Sequence, residues 1–186
     1  MDVVELHNRT VDNFASLVNE VGPDQWSAPT PCSDWDVRAL VNHVVGEERW
    51  VAPLMEGKTI ADVGDSLDGD LLGDDPVGAA TAAAREAQDA AAKPTSKVHL
   101  SYGDEDAPEY LLQLAADHLI HGWDLAAAIG AEPRLDPDLV DEVATWFAER
   151  EELYRGGGAI ADRVEGFTDP ADTLLGAFGR DPRWKP

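Results

Sequence analysis

The sequence predicts an all-α fold: a four-helix bundle with an additional C-terminal helix and an irregular tail. Three observations predict the helical bundle. Five segments repeat apolar residues at helical spacing, and only one short stretch reads as extended. The 186 residues are enough for one domain with a full core. No repeat and no obvious linker divides the chain, so residues 1–186 read as a single domain.

The first helix is expected over 3–21, on Val4, Val11, Phe14, Leu17, Val18 and Val21, and ends at Gly22-Pro23. A loop over 24–33 follows, where Trp26, Pro29 and Pro31 suggest a rigid turn packed on the core. Ser33 or Asp34 can cap a second helix over 36–55, carrying Val37, Leu40, Val41, Val44, Val45 and Val51, with His43 among them. The acidic, glycine-containing stretch 58–75 reads as a mobile connection, a candidate lid over one end of the bundle. Its Asp-x-Gly-Asp fragments lack the ordered ligand spacing of an EF-hand. An alanine-rich helix is expected over 76–92, followed by a short extended piece at 97–103. The longest run, 109–129, is introduced by Asp106-Ala107-Pro108 and closed by Gly130. A last helix over 136–153 starts at Asp136-Pro137 and is broken by Gly156-Gly157-Gly158.

Charge narrows the function classes. With 37 acidic and 14 basic residues the net charge is -23 and the pI near 4.2. Such a surface repels phosphate backbones and anionic lipid, so neither nucleic acid nor membrane is an expected partner. No run approaches the roughly 18 apolar residues of a membrane span. The opening Met1-Asp2-Val3-Val4-Glu5 has no signal-peptide character, and one cysteine permits no internal disulfide. A cytoplasmic location is expected.

The candidate chemistry centres on Asp117-His118-Leu119-Ile120-His121-Gly122-Trp123-Asp124 in the longest helix. Asp117 and His121 are four apart and share a face, and Asp124 continues their stripe. Apolar neighbours nearly all round predict that this helix is buried. A buried carboxylate and imidazole need partners. They can satisfy each other as a structural pair, or hold a divalent metal with His43 as third ligand and a position left open. His118 competes as a ligand but points somewhat away. Glu47, four after His43, is either a solvated charge beside Glu48 or a proton carrier next to the site. Cys32, just before a helix N-terminus, is either a nucleophile or a small packed residue. Trp35, Trp50 and Trp123 can line a pocket or fill the core. His7 and His99 lack a ligand-spaced partner. Phosphate-binding glycine loops, cysteine pairs and a Gly-x-Ser-x-Gly elbow are absent from the sequence.

Three stretches together resemble a known family. Residues 26–46, Trp-Ser-Ala-Pro-Thr-Pro-Cys-Ser-Asp-Trp-Asp-Val-Arg-Ala-Leu-Val-Asn-His-Val-Val-Gly, look like the opening of the mycothiol-dependent maleylpyruvate isomerase N-terminal-domain family, within the wider DinB/YfiT-like group of metalloenzymes. His121-Gly122-Trp123-Asp124-Leu125-Ala126 and the terminal Gly179-Arg180-Asp181-Pro182-Arg183-Trp184 are similar to it as well. The resemblance implies a four-helix bundle with a divalent metal, usually zinc. Its ligands fall on His43, Asp117 (glutamate in the isomerase itself) and His121. It implies mycothiol or a similar low-molecular-weight thiol as cofactor. The isomerase carries a further C-terminal domain at its substrate site; no comparable domain is expected here, so maleylpyruvate is not the expected substrate. The leading expectation is a metal-dependent thiol transferase or isomerase acting on an electrophilic small molecule, with Glu47 as proton carrier. The alternatives are a hydrolase using a metal-bound water, or a non-catalytic ligand-binding bundle. A homodimer is compatible with such bundles.

Overall fold

A computed structural model describes residues 1–158 and 160–186. The helical expectation holds: among the described residues the chain is mostly helix, with one two-stranded hairpin. Helices α1 (Val3–Val18), α2 (Val37–Met55), α4 (Pro76–Ala91) and α5 (Ala107–Ile129) form the bundle. They close a ring, α1 packing on α5 and α4, and α2 packing on α4 and α5. Between α2 and α4 lies a single turn, α3 (Ile60–Val63); between α4 and α5 lies the hairpin β1 (Lys97–Leu100) and β2 (Gly103–Asp106), antiparallel with Val98 opposite Glu105. Three short helices follow the bundle: α6 (Pro137–Ala148), α7 (Glu151–Gly156) and α8 (Pro170–Ala177).

Each bundle helix follows from its sequence. Asp2 and Asp36 cap α1 and α2 with side-chain bonds to Glu5 N and Ala39 N, both 2.8 Å, which satisfies amides the helix itself leaves free. The alanines of α4 (Ala80, Ala83, Ala87, Ala90) are buried and allow its close approach to α2. Helix α5 ends at Gly130, which takes the left-handed conformation (φ 72°) that a side chain resists. One core cluster fills the end of the bundle around Phe14, Leu40, Val44 and Leu125; another fills the end next to the hairpin around Val51, Val98, Leu111 and Leu114. A third lies between α5, α6 and α8, on Leu119, Trp123, Phe147 and Leu175.

Several details differ from the sequence reading. The single helix expected over 136–153 is two, because the chain turns at Glu149-Arg150 before α7 starts. The tail is not irregular throughout: Asp169 caps α8 through Ala171 N and Asp172 N, and Pro170 occupies its first turn. Eight residues are too few for a periodic signal, so only the cap betrays the helix. The acidic connection contains α3, closed by a Thr59–Asp62 capping box, and its far end is tied to α2. Arg38 bonds both oxygens of Asp70 (2.9 and 3.1 Å), and Asn42 bonds Gly69 O (2.9 Å) and Leu71 N (2.7 Å).

Candidate metal centre

The loop ahead of α2 is built to place two side chains against α5. Thr30 Oγ1 donates to Trp35 O (2.8 Å) and receives Cys32 N (3.1 Å), while Val37 N and Arg38 N bond Ala28 O and Trp26 O. This closed loop carries Cys32 and Trp35 inward. The Trp35 ring lies over His43, centroids 4.6 Å apart, and 5.7 Å from the His121 ring. Of the three tryptophans considered as pocket residues, Trp35 alone is placed here; Trp50 and Trp123 pack in the core.

His43 from α2 and Asp117 and His121 from α5 converge. His43 Nε2 lies 3.6 Å from Asp117 Oδ2, and His121 Nε2 lies 3.4 Å from Asp117 Oδ1. One donor atom from each of the three falls within 4.8 Å of the others. Ligands about 2.1 Å from a tetrahedral ion stand about 3.4 Å from each other, so these spacings need little adjustment to accept one. Asp117 Oδ2 is out of water and has no hydrogen-bond partner, the kind of atom a cation satisfies. Two imidazoles and a carboxylate suit a borderline divalent ion. The residues present therefore fit a metal.

The electrostatics point the same way. Burial works against the Asp117 charge, but His121 and then His43 hold its carboxyl well below the usual carboxylate range. Burial likewise opposes protonation of His121, yet Asp117 foremost, with Asp124 and Cys32, raises that ring well above an ordinary histidine. A proton on His121 thus does the work a cation would do, and metal binding would displace it.

Behind the triad stands a second layer. His121 Nδ1 lies 2.9 Å from Asp124 Oδ2, which leaves Nε2 for the triad when Nδ1 carries the proton. Asp124 is fully buried and is gripped by Arg180, whose Nε and Nη2 each come within 2.9 Å of a carboxylate oxygen. Arg180 Nη2 also donates to Cys32 Sγ (3.0 Å), and the Cys32 thiol donates to Asp124 Oδ2 (3.2 Å). Cys32, His121 and Asp124 form a second grouping of ligand-type atoms. There the guanidinium already supplies the positive charge, whereas no lysine or arginine ion-pairs with Asp117 among the described residues.

Glu47, one turn beyond His43, is half-buried; burial first, then the negative Asp117, pushes its carboxyl up. His118 turns away from the triad, as its spacing suggests. Its Nδ1 donates to Leu114 O (2.6 Å), and its Nε2 lies 3.3 Å from Glu48. Glu48, the neighbour of Glu47 in the sequence, is only 1% exposed, because α2 rolls that face onto α5. His7 is fully buried beside His118, ring centroids 6.1 Å apart.

Sequence reasoning assigned no role to Arg180 or Asp124. A signal for Asp124 existed in its place on the Asp117–His121 stripe. Arg180 follows Gly179, which has φ 77° and whose Cβ, if present, would meet Ala161 at 2.8 Å. That turn returns the chain toward α5, and only a glycine fits it.

A model of the mycothiol maleylpyruvate isomerase N-terminal domain matches residues 8–126, a span that includes all three triad residues. The chain belongs to that family. Two relatives from Mycobacterium tuberculosis, uncharacterized proteins MT0763 (strain CDC 1551 / Oshkosh) and Rv0738 (strain H37Rv), are each 34% identical over 194 residues. Each match covers 98% of this chain and the whole relative. No solved structure matches significantly. In this family member the matched region ends inside α5, so α6–α8 and Arg180 lie beyond it.

Proposed function

We propose that this protein is a metal-dependent, thiol-cofactor-dependent transferase or isomerase acting on an electrophilic small molecule, with His43, Asp117 and His121 as metal ligands. The observation that carries the reading is the convergence of these donors around the unpartnered Asp117 Oδ2. Zinc is the favoured ion because two nitrogens and one oxygen, with a position left open, make a catalytic zinc set. The thiol is mycothiol or a close relative, as the family's name suggests. A bound divalent ion would supply Lewis acidity and turn a thiol into a thiolate at neutral pH.

The chain's own residues do the rest. Asp124, fixed by Arg180, keeps His121 in one orientation and one tautomer. Trp35 covers one face of His43. Glu47 takes the proton that the thiol gives up before the carbon–sulfur bond forms. In a transferase the leaving group departs with the bonding electron pair. In an isomerase the same bond later breaks and the thiol regains its proton. Among the described residues no helix is long and apolar enough to cross a membrane, and the acidic surface suits a freely diffusing enzyme in the cytoplasm.

Metal analysis of tag-free protein tests the site. About one divalent ion per chain is expected in wild type, with loss in His121→Ala and His43→Ala. A folded, metal-free wild type that does not take up zinc overturns the reading. Stabilisation of the zinc-loaded protein by mycothiol is then expected in a thermal-shift titration. Zinc binding without that stabilisation favours a hydrolase using bound water.

A further inference from the structure

Beside the triad lies a pocket whose outer wall comes from residues beyond the family match. Asp117 and His121 form part of its wall, and its volume is about 190 Å³. The remaining wall comes mainly from Ala116 and Ile120 on α5, Trp146 on α6, Tyr154 on α7, and Ile160 and Phe178 around α8. Three of those six side chains are aromatic.

The walls are held in place. Trp146 Nε1 donates to Glu109 Oε1 (3.1 Å), and the Arg150 guanidinium lies 5.1 Å over the Trp146 ring while pairing with both Glu109 oxygens. Tyr154 meets Trp146 edge-on at 5.9 Å, and Phe178 stacks on Phe147 at 3.9 Å. A dry cavity of roughly 150 Å³ accepts a benzene molecule, so this space fits one ring with a small substituent and not two fused rings.

Charge narrows the occupant further. Arg180 reaches the pocket, but Asp124 matches its charge, and its Nε, Nη1 and Nη2 all have partners in Asp124, Phe178 O and Cys32. The Asp117 carboxylate is on the wall and the chain carries a net charge of -23, so a carboxylate ligand has no free cationic side chain to meet. Gln113 and Tyr154 also line a neighbouring groove of about 590 Å³, which gives the pocket a route outward.

We infer that this pocket binds an uncharged, single-ring organic molecule and is the acceptor site of the enzyme, with Trp146, Tyr154, Ile160 and Phe178 setting its size limit. The inference rests on the proposed function for the acceptor's role; binding of the ring does not depend on the metal. Fluorine NMR on the full, metal-free chain tests it with three probes: 4-fluoroanisole, 2-fluoro-6-methoxynaphthalene and 4-fluorobenzoate. Saturable binding of the anisole is expected, at least about tenfold tighter than either of the others. Ile160→Trp, in a loop at the pocket, should weaken it by about tenfold or more, while Tyr154→Ala should admit the naphthalene. The inference is overturned if folded wild type binds no anisole saturably, if the benzoate binds equally well, or if both pocket variants, folded by circular dichroism, bind as wild type does. A chain that takes up zinc but does not bind the ring refutes the pocket alone; a chain that binds the ring but takes up no zinc when it is offered refutes the metal reading and leaves the pocket as a binding site.

Discussion

Arg180 and Asp124 are 56 positions apart in the chain and meet through three nitrogen–oxygen contacts of 2.9 to 3.1 Å. The carboxylate is fully buried, and the arginine side chain is 16% exposed. This contact joins the tail to the helix that carries two of the proposed metal ligands, and sets the orientation of His121 through its Nδ1.

Removing one partner of that pair leaves the other stranded. Arg180→Ala should cost about 3 kcal/mol, read from urea denaturation of the metal-free protein. Asp124→Asn should instead be felt at the metal, because the amide cannot hold His121 in the same way. Zinc affinity by competition with a chelator should fall about 10- to 100-fold. The size of the difference between the two variants measures how far Arg180 acts only through Asp124.

Glu47 should set the acid limb of the activity profile. As a base it must be ionised, and burial together with Asp117 raises its carboxyl above the ordinary glutamate range. Activity should therefore rise with pH through a midpoint higher than that of a free glutamate. Glu47→Gln should lower kcat about a hundredfold and abolish that limb, with zinc content unchanged. A variant that keeps the limb assigns it to another group.

His7 makes the fold sensitive to acid. Burial, and then the nearby His118, lower its ring from an ordinary 6.5 to about 4. A lowered histidine favours folding in its neutral form, so its contribution is complete above pH 6.5 and is lost as pH falls toward 4. That loss amounts to about 3 kcal/mol. His7→Leu should flatten the difference between urea midpoints at pH 7 and pH 4.5 relative to wild type. Equal slopes for the two proteins would show that His7 protonates as easily in the folded state.

The Glu48–His118 pair sits wholly inside the bundle, with Glu48 Oε2 unpartnered. Breaking it one side at a time should be costly: Glu48→Leu or His118→Leu alone should each lose about 3–5 kcal/mol. The double variant should recover much of that, because two apolar side chains replace two polar ones that water no longer reaches. Additive single losses would mean that the two groups do not interact.

The all-α fold and the Asp117–His121 pair were legible from local rules, whereas the full set of His43, Asp117 and His121 rested on the resemblance to the family. Apolar spacing marks the four bundle helices, glycine and proline mark most of their ends, and i, i+4 spacing puts Asp117 beside His121 whatever else the chain does. His43 is a different matter: helical spacing says which side of α2 it shares with Glu47, but only the packing of α2 on α5 brings it to 3.6 Å from Asp117. The same packing buries Glu48, one residue from half-exposed Glu47. A charge pattern cannot distinguish those neighbours, because burial depends on the angle at which one helix lies on another.

Sequence by itself determined the helical class, the acidic surface and the residue types able to bind a metal, because each depends on composition or on neighbours within one turn. Tertiary structure decided that Arg180 closes behind Asp124, that Cys32 sits against Arg180, and that α6–α8 wall a ring-sized pocket beside Asp117. Those are contacts between segments tens of residues apart. Their geometry is set by how whole helices pack, and no local periodicity carries that information.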